Sequence, residues 1–208
     1  MKVYSYAPGG YHGHIVTVEV DCRTGIPGMD IVGLPASEVR EARDRARVAI
    51  RNSGFVFPAR RILVSLSPAD VPKHGNGFDL ALATALMGEE LGPALPAAVL
   101  LVGELHLDGA VGEVRGVLAA VAEGVEAGIP AFCVPATNRE EAAAVSAGRS
   151  VGIAHLRDLP DALSLLATGR RELLSAHPLA SAGRGATPVA ETGPAPQSVP
   201  DSETPEPT

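Results

Sequence analysis

The residues best suited to chemistry lie in a short glycine-containing loop between positions 73 and 79. This loop follows a hydrophobic run and precedes a helical one, so its glycines let the chain turn sharply and expose backbone N–H groups. It supplies an amine, an imidazole and a carboxylate, but no hydroxyl or thiol nucleophile. We therefore expect a binding loop that cannot start covalent catalysis by itself. Its candidate binding residues are Lys73, His74, Gly75, Asn76, Gly77 and Asp79.

Two of these residues also have a conformational interpretation. Asp79 stands where the next helix begins, so its carboxylate is expected to cap that helix by accepting backbone N–H bonds. Asn76 tolerates the left-handed region and is expected to adopt it within the turn. Both side chains would then stabilise the loop between a strand and a helix.

A second candidate site is a stripe of arginines on the first predicted helix. Its members recur at spacings of three and four, which places them on one face at 3.6 residues per turn. Such a stripe binds phosphates of nucleic acid or an acidic protein surface. Glu41 and Arg45 form an i,i+4 pair, and Glu38 and Asp44 are close enough to neutralise neighbouring arginines, so a solvated or partner-contacting face is favoured over DNA binding. The stripe consists of Arg40, Arg43, Arg47 and Arg51.

The hydrophobic pattern alternates between the periods of strands and helices along residues 1–170. A β-hairpin-like start is followed by alternating helices and strands, and Asp108-Gly109 marks a later two-residue hairpin turn. Ser37 and a Thr137–Glu140 capping box are expected to begin two of the helices. The pattern predicts one α/β domain with a mixed sheet. The predicted strands are 14–21, 29–33, 61–66, 99–102, 131–134 and 151–155, and the predicted helices are 37–52, 79–90, 116–127, 137–147 and 159–167.

Composition limits the classes of function. The net charge is -7 and the pI is about 5.3, which argues against a surface that coats DNA as a whole. Two distant cysteines are too few for a disulfide scaffold or a zinc cage, and no histidine has metal-ligand spacing, so we expect no metal and no cofactor. No membrane-length apolar run occurs, and we expect a cytoplasmic protein. Residues 171–208, rich in proline and poor in bulky apolar residues, are predicted to be a disordered tail or linker.

Several motifs in a fixed order carry a resemblance to a known family. They resemble the N-terminal domain of the ComM/YifB group of magnesium-chelatase-like proteins, and the resemblance covers nearly all of residues 3–167. The resemblance implies the fold of the Lon protease proteolytic domain. The motifs are Ile31–Pro35, Arg43–Phe55, Pro68–Leu80, Gly103–Gly109, Val114–Leu118 and Pro135–Asn138.

The same resemblance implies where a catalytic serine–lysine dyad would lie. Aligned with the Lon pattern, the nucleophile position falls on Gly77 and the position of the lysine base falls on Leu118. A glycine and a leucine supply neither group, so no peptidase activity is expected. The alternative left open is a hydrolase that uses displaced residues around Lys73.

Relatives of this group carry an AAA+ ATPase domain after the Lon-like domain, and in ComM members it belongs to a helicase of branch migration in natural transformation. Neither lysine of this chain lies in a Walker A sequence, so ATPase chemistry is not expected from these residues. The leading hypothesis is a non-catalytic interaction or assembly domain that acts with an AAA+ ATPase, on another chain or in a missing C-terminal part. A second copy of the chain is a further candidate partner, as in a homo-oligomer. The third hypothesis is a nucleic-acid-binding accessory domain that uses the arginine stripe.

Overall fold

A computed structural model describes residues 2–9, 13–92 and 95–169, except for the side chain of Glu89. Within these ranges nine strands and five α-helices alternate along the chain. The strands are β1 (Lys2–Ala7), β2 (His14–Arg23), β3 (Gly28–Val32), β4 (Arg61–Ser67), β5 (Ala98–Leu101), β6 (Glu104–Leu105), β7 (Val111–Gly112), β8 (Phe132–Pro135) and β9 (Ser150–Ile153). The helices are α1 (Ser37–Asn52), α2 (Asp79–Met87), α3 (Val117–Glu126), α4 (Arg139–Ser146) and α5 (Leu159–Thr168).

Seven of the strands form one mixed sheet in the order β3-β4-β2-β1-β5-β8-β9. Strand β2 is antiparallel to both neighbours, whereas the other adjacent pairs are parallel. The six strands other than β2 therefore run in one direction. Their N-terminal ends lie at one end of the sheet and their C-terminal ends at the other. The predicted mixed α/β fold is confirmed, and strands β6 and β7 form a separate two-stranded hairpin.

Helices cover the sheet on two faces and divide the hydrophobic core. One cluster joins α1, α2 and α5 to the sheet, and the other joins α3 and Ala142 of α4 to Leu100, Phe132 and Val134. Helix α2 is buried along almost its whole length, as its alanine- and leucine-rich sequence predicts. Strand β4 alternates, with Ile62 buried and Leu63 38% exposed, because only one face of that part of the sheet is covered.

The predicted hairpin-like start is wrong. Strand β4 lies between β2 and β3, pairing antiparallel with the first and parallel with the second. Helix α1 makes the crossover from β3 to β4, as parallel pairing requires. The sequence interpretation also missed β1, which pairs with β2 and β5 in the centre of the sheet. Local patterning identified strands but could not reveal which distant strand completes each ladder.

Predictions about caps and turns had mixed outcomes. Neither Ser37 nor Thr137 is an N-cap: Ala36 and Asn138 take those positions, and neither makes a side-chain cap bond. The later hairpin exists, but its loop has three residues, because the Gly109 N–H bonds to the His106 carbonyl and Gly109 has a φ of 96°. Among the residues described, no helix has both the length and the hydropathy needed to cross a bilayer.

Candidate functional site

A cleft of about 360 Å³, which we call the first cleft, lies between the glycine loop and the start of α3. The loop forms one wall, and the chain entering α3 forms the other. Tyr6 closes the apolar end, and its pKa is raised by burial and by the nearby charge of Glu123. The exposed polar groups around the opening are Glu113, Arg115 and His74. The remaining lining residues include Gly75, Asn76, Gly77, Val102, Glu104, Val114, Gly116, Val117 and Ala120.

Hydrogen bonds to one glycine hold the loop in place. Gly103 donates its N–H to the Gly77 carbonyl at 3.1 Å and accepts the Leu80 N–H at 3.0 Å. Gly75 takes a φ of 89°, which only glycine adopts easily, and residues Asn76–Phe78 form a 3-10 turn. Asn76 does not adopt the expected left-handed conformation, because Gly75 makes the reversal instead. Four of the predicted loop residues, 74 to 77, therefore face the cleft.

Of the two positions implied for a catalytic dyad, Gly77 lines this cleft, and Leu118 directly follows the lining residue Val117. Neither position carries a catalytic group. Gly77 is a lining residue, and a Cβ added there would meet no neighbouring atom within 4 Å. Leu118 lies in the first turn of α3, and its side chain is 45% exposed. Its backbone N–H donates to Glu141 Oε1 at 2.8 Å, which places a carboxylate at the positive end of the helix. The geometry provides a shaped surface but no nucleophile–base pair at these positions.

The α3 wall is held by a side chain that the sequence interpretation did not select. Asn138 accepts the Val114 N–H at 3.1 Å and donates to the Val114 carbonyl at 3.0 Å, so it pairs with both backbone groups of that residue. It also donates to Glu141 Oε2 at 3.1 Å. Asn138 is almost completely buried, at 5% exposure. The Asn-x-x-Glu spacing is a signal for a local pair, but its distant partner could not be found from spacing.

Lys73 does not belong to the cleft. Its side chain is completely buried, and Nζ donates to the Pro68 carbonyl. Its backbone N–H and carbonyl pair with Leu34 and Ala36, which tie the loop to the chain that enters α1. Burial lowers the pKa of the Lys73 amine, and the charge of Asp70 acts in the opposite direction. The predicted binding role of this residue is replaced by a structural one.

Asp79 is also structural, but it does not cap α2 as expected. Its carboxylate is completely buried and accepts two bonds from Arg45, from Nε at 2.7 Å and Nη2 at 3.0 Å. It accepts a third bond from the Leu105 N–H at 3.1 Å. Burial raises the pKa of this carboxyl, whereas Arg45 and the Leu105 N–H oppose the rise. One carboxylate therefore connects α2, α1 and the hairpin beneath the cleft.

Three of the four stripe arginines come together at a second concave surface, of about 480 Å³, which we call the arginine cleft. Arg43 bonds to Asp44 and to the Met29 carbonyl, and Arg40 is not among the lining residues. Sequence reasoning missed Arg60, which enters from the loop before β4. The arginine cleft is lined by Pro27, Gly28, Met29, Arg43, Asp44, Arg47, Arg51, Phe57, Pro58, Ala59 and Arg60.

Within the described residues, no group of three or more histidine, cysteine, aspartate or glutamate side chains is arranged to hold a metal ion. Burial raises the pKa of the Cys133 thiol to about 12, so this thiol stays protonated and unreactive near neutral pH.

Residues 18–138 match the family described as subunit ChlI of Mg-chelatase. The protein YifB of Salmonella typhimurium is 44% identical over 128 residues, covering 61% of this chain and 25% of YifB. The competence protein ComM of Haemophilus influenzae is 42% identical over 121 residues, covering 57% of this chain and 24% of ComM. A Lon protease of Trichlorobacter lovleyi is 26% identical over 136 residues, covering 62% of this chain and 17% of the protease.

The chain spans less than a third of the length of the curated relatives that it matches. The matched family covers more than half of the residues, and YifB and ComM share more than two fifths of the aligned positions. The chain therefore belongs to the Mg-chelatase ChlI-subunit family and corresponds to the N-terminal part of its YifB and ComM members.

Proposed function

We propose that this chain is a non-catalytic Lon-like interaction domain that works with an AAA+ ATPase of the ComM/YifB type. The observation that carries the proposal is the cleft between Gly77 and the first turn of α3, where neither Gly77 nor Leu118 supplies a catalytic group. A concave surface with apolar walls and a few convergent polar groups is the usual form of a binding site.

The framework around the cleft supports recognition by a preorganised surface. Asn138 fixes one wall through three hydrogen bonds, and the buried Asp79–Arg45 pair fixes the base of the other. Preorganised walls reduce the ordering cost of association. The occupant that fits best is a short extended segment of the ATPase partner, located on another chain or on the same polypeptide.

The wider role follows the family. The relative named a competence protein supports a place in DNA recombination during transformation, where the resemblance implies branch migration by the ATPase. In this scheme the Lon-like domain contributes binding and assembly, and the ATPase contributes the motor.

The test is the affinity of the chain for the ATPase region of a ComM- or YifB-type protein, measured by calorimetry. Gly77→Trp fills the cleft, and its backbone has room for a side chain because an added Cβ meets nothing within 4 Å. Leu107→Trp is the matched control, because Leu107 is 56% exposed in the hairpin loop away from the cleft. We expect about a tenfold loss of affinity for the first variant and wild-type affinity for the control. Equal binding by both variants, or none by the wild type, would reject the proposal.

The alternative is a hydrolase with displaced catalytic residues. The complete burial of Lys73, with Nζ bonded to a backbone carbonyl, argues against a displaced base. A peptidase assay on an unfolded protein substrate, with Ser65→Ala and Ser67→Ala variants as controls, decides the matter. Turnover that either substitution abolishes would restore the enzyme hypothesis.

A further inference from the structure

The arginine cleft carries positive charge that the described part of the chain leaves without a counter-charge. Arg47, Arg51 and Arg60 are exposed, and no carboxylate of the described residues lies within ion-pair distance of them. Asp44 is the one acidic residue in the lining, and it is bound to Arg43. Like charges held together repel each other, so an anion bound there is stabilised by several guanidinium groups at once.

The cleft also has a surface suited to proline. Arg47 and Arg51 lie over the ring of Phe57, with guanidinium carbons 5.6 and 5.8 Å from its centroid, so the aromatic ring orders both cations. Pro27 and Pro58 complete the floor. Aromatic-lined grooves are surfaces on which proline-rich segments dock, and such segments lose little conformational entropy on binding.

The chain contains a segment of complementary composition. Residues 200–207 read Pro-Asp-Ser-Glu-Thr-Pro-Glu-Pro, which supplies three carboxylates and three prolines without any basic residue. Its acidic residues are Asp201, Glu203 and Glu206. Three carboxylates match three guanidinium groups that lack an ion-pair partner.

The end of α5 and this cleft both lie at the end of the sheet where the parallel strands begin. The cleft lies where β3 and β4 begin, and Gly169 lies beside Pro130 and Arg149, where β8 and β9 begin. All four strands are parallel, so both places lie at the N-terminal ends of the strands. Four to six strand spacings of about 4.8 Å separate them, which is roughly 19–29 Å. About 30 residues lie between Gly169 and the segment, and a chain of that length can span up to about 100 Å, so the segment can reach the cleft.

We propose that the arginine cleft is the docking site of this chain's own acidic, proline-rich segment 200–207. The carboxylates of the segment pair with Arg47, Arg51 and Arg60, and its prolines pack on Phe57 and Pro58. Tethering raises the local concentration of the segment to the millimolar range, so weak individual contacts suffice. The inference is independent of the proposed function, because it uses neither the other cleft nor any ATPase.

The test places a nitroxide on the full chain at Ser202→Cys in a Cys22→Ser background, where the remaining Cys133 is buried. Paramagnetic broadening is then read at backbone amides. We expect the amides of Arg47, Arg51 and Arg60 to lose about half of their intensity or more, and about 0.5 M NaCl to remove the effect. Broadening that is absent from these amides, or spread evenly over the surface, would overturn the proposal.

Two charge variants make the result specific. Replacing the three cleft arginines by glutamine should abolish the broadening, as should the triple change Asp201→Asn, Glu203→Gln and Glu206→Gln. The control replaces two exposed arginines near the opposite ends of the strands, at positions 115 and 157, and should leave the broadening unchanged. These substitutions are on the surface, so the fold is retained. Equal loss in the control variant would mean that net charge, not the cleft, attracts the segment.

Other occupants give distinct outcomes. Broadening that persists when nitroxide-labelled chains are mixed with separate isotope-labelled chains would assign the cleft to a second copy. If a single-stranded oligonucleotide shifts the cleft amides while the nitroxide leaves them sharp, the cleft is a nucleic-acid site. Either result would contradict docking of the chain's own segment.

Discussion

Replacing Arg45 by methionine should be the most damaging single change to the framework beneath the first cleft. The substitution keeps most of the side-chain volume but removes the two guanidinium bonds, at 2.7 and 3.0 Å, to the Asp79 carboxylate. That carboxylate is completely buried and would keep only the Leu105 N–H at 3.1 Å. Leaving a buried charge without its partner costs about 3–5 kcal/mol. Such a loss is a large part of the roughly 5–15 kcal/mol that stabilises a domain of this kind.

The assay is urea unfolding of the full chain at neutral pH, analysed by linear extrapolation. Glu41→Gln is the matched control, because Glu41 contacts the same guanidinium at 3.6 Å but is 70% exposed, so its loss should cost less than about 0.5 kcal/mol. The double variant Arg45→Met, Asp79→Asn removes the stranded charge and should recover about 2 kcal/mol of the loss. A cost below about 1 kcal/mol for Arg45→Met alone would refute the structural role assigned to the pair.

Three further predictions concern stability. Asn138→Ala should cost about 1–3 kcal/mol in urea unfolding, because both backbone groups of Val114 lose their partner, and a change below about 0.5 kcal/mol would contradict this. Burial lowers the pKa of Lys73 below 10.5 in the folded protein. The free energy of unfolding of the wild type should therefore increase as the pH rises from the folded-state pKa towards 10.5. Lys73→Met should lack this increase. If wild type and Lys73→Met differ in their free energy of unfolding by the same amount at about pH 7.5 and at about pH 10, the prediction is wrong. Gly33→Ala should lower the melting temperature far more than Gly77→Ala. A Cβ at position 33 would lie 2.0 Å from a β4 carbonyl oxygen, and the backbone there has a φ of 100°. Equal melting temperatures would contradict this steric explanation.

The hydrophobic pattern predicted most elements because each is amphipathic or wholly buried in a way that leaves a period in the sequence. Strand β4 and helix α1 are the clearest examples, and their predicted bounds are close to the observed ones. The pairing of β2 with β4 was beyond reach, since it depends on long-range burial rather than on local period. Strand β1 was missed because its sequence, Lys-Val-Tyr-Ser-Tyr-Ala, mixes a lysine and a serine with the apolar residues and shows no long apolar run.

The site was predicted in part, for a related reason. Sequence placed residues 74–77 in a loop, and backbone geometry brought them to the cleft. It could not reveal that Lys73 points into the interior, because the direction of a loop side chain is set by packing. Nor could it pair Arg45 with Asp79, 34 positions apart, or bring Arg60 beside the stripe on α1. Side-chain partners at long range are a property of the assembled fold.

The most direct test of the proposed function is the binding footprint of the ATPase region on the isotope-labelled chain. Titration followed by amide chemical shifts reports where contact occurs as well as whether it occurs. Recognition through the first cleft predicts that the amides of His74, Gly77 and Leu118 shift first, while those of Arg47 and Arg60 in the arginine cleft stay in place. A saturating titration that leaves the first three amides unchanged would contradict a recognition role for this cleft.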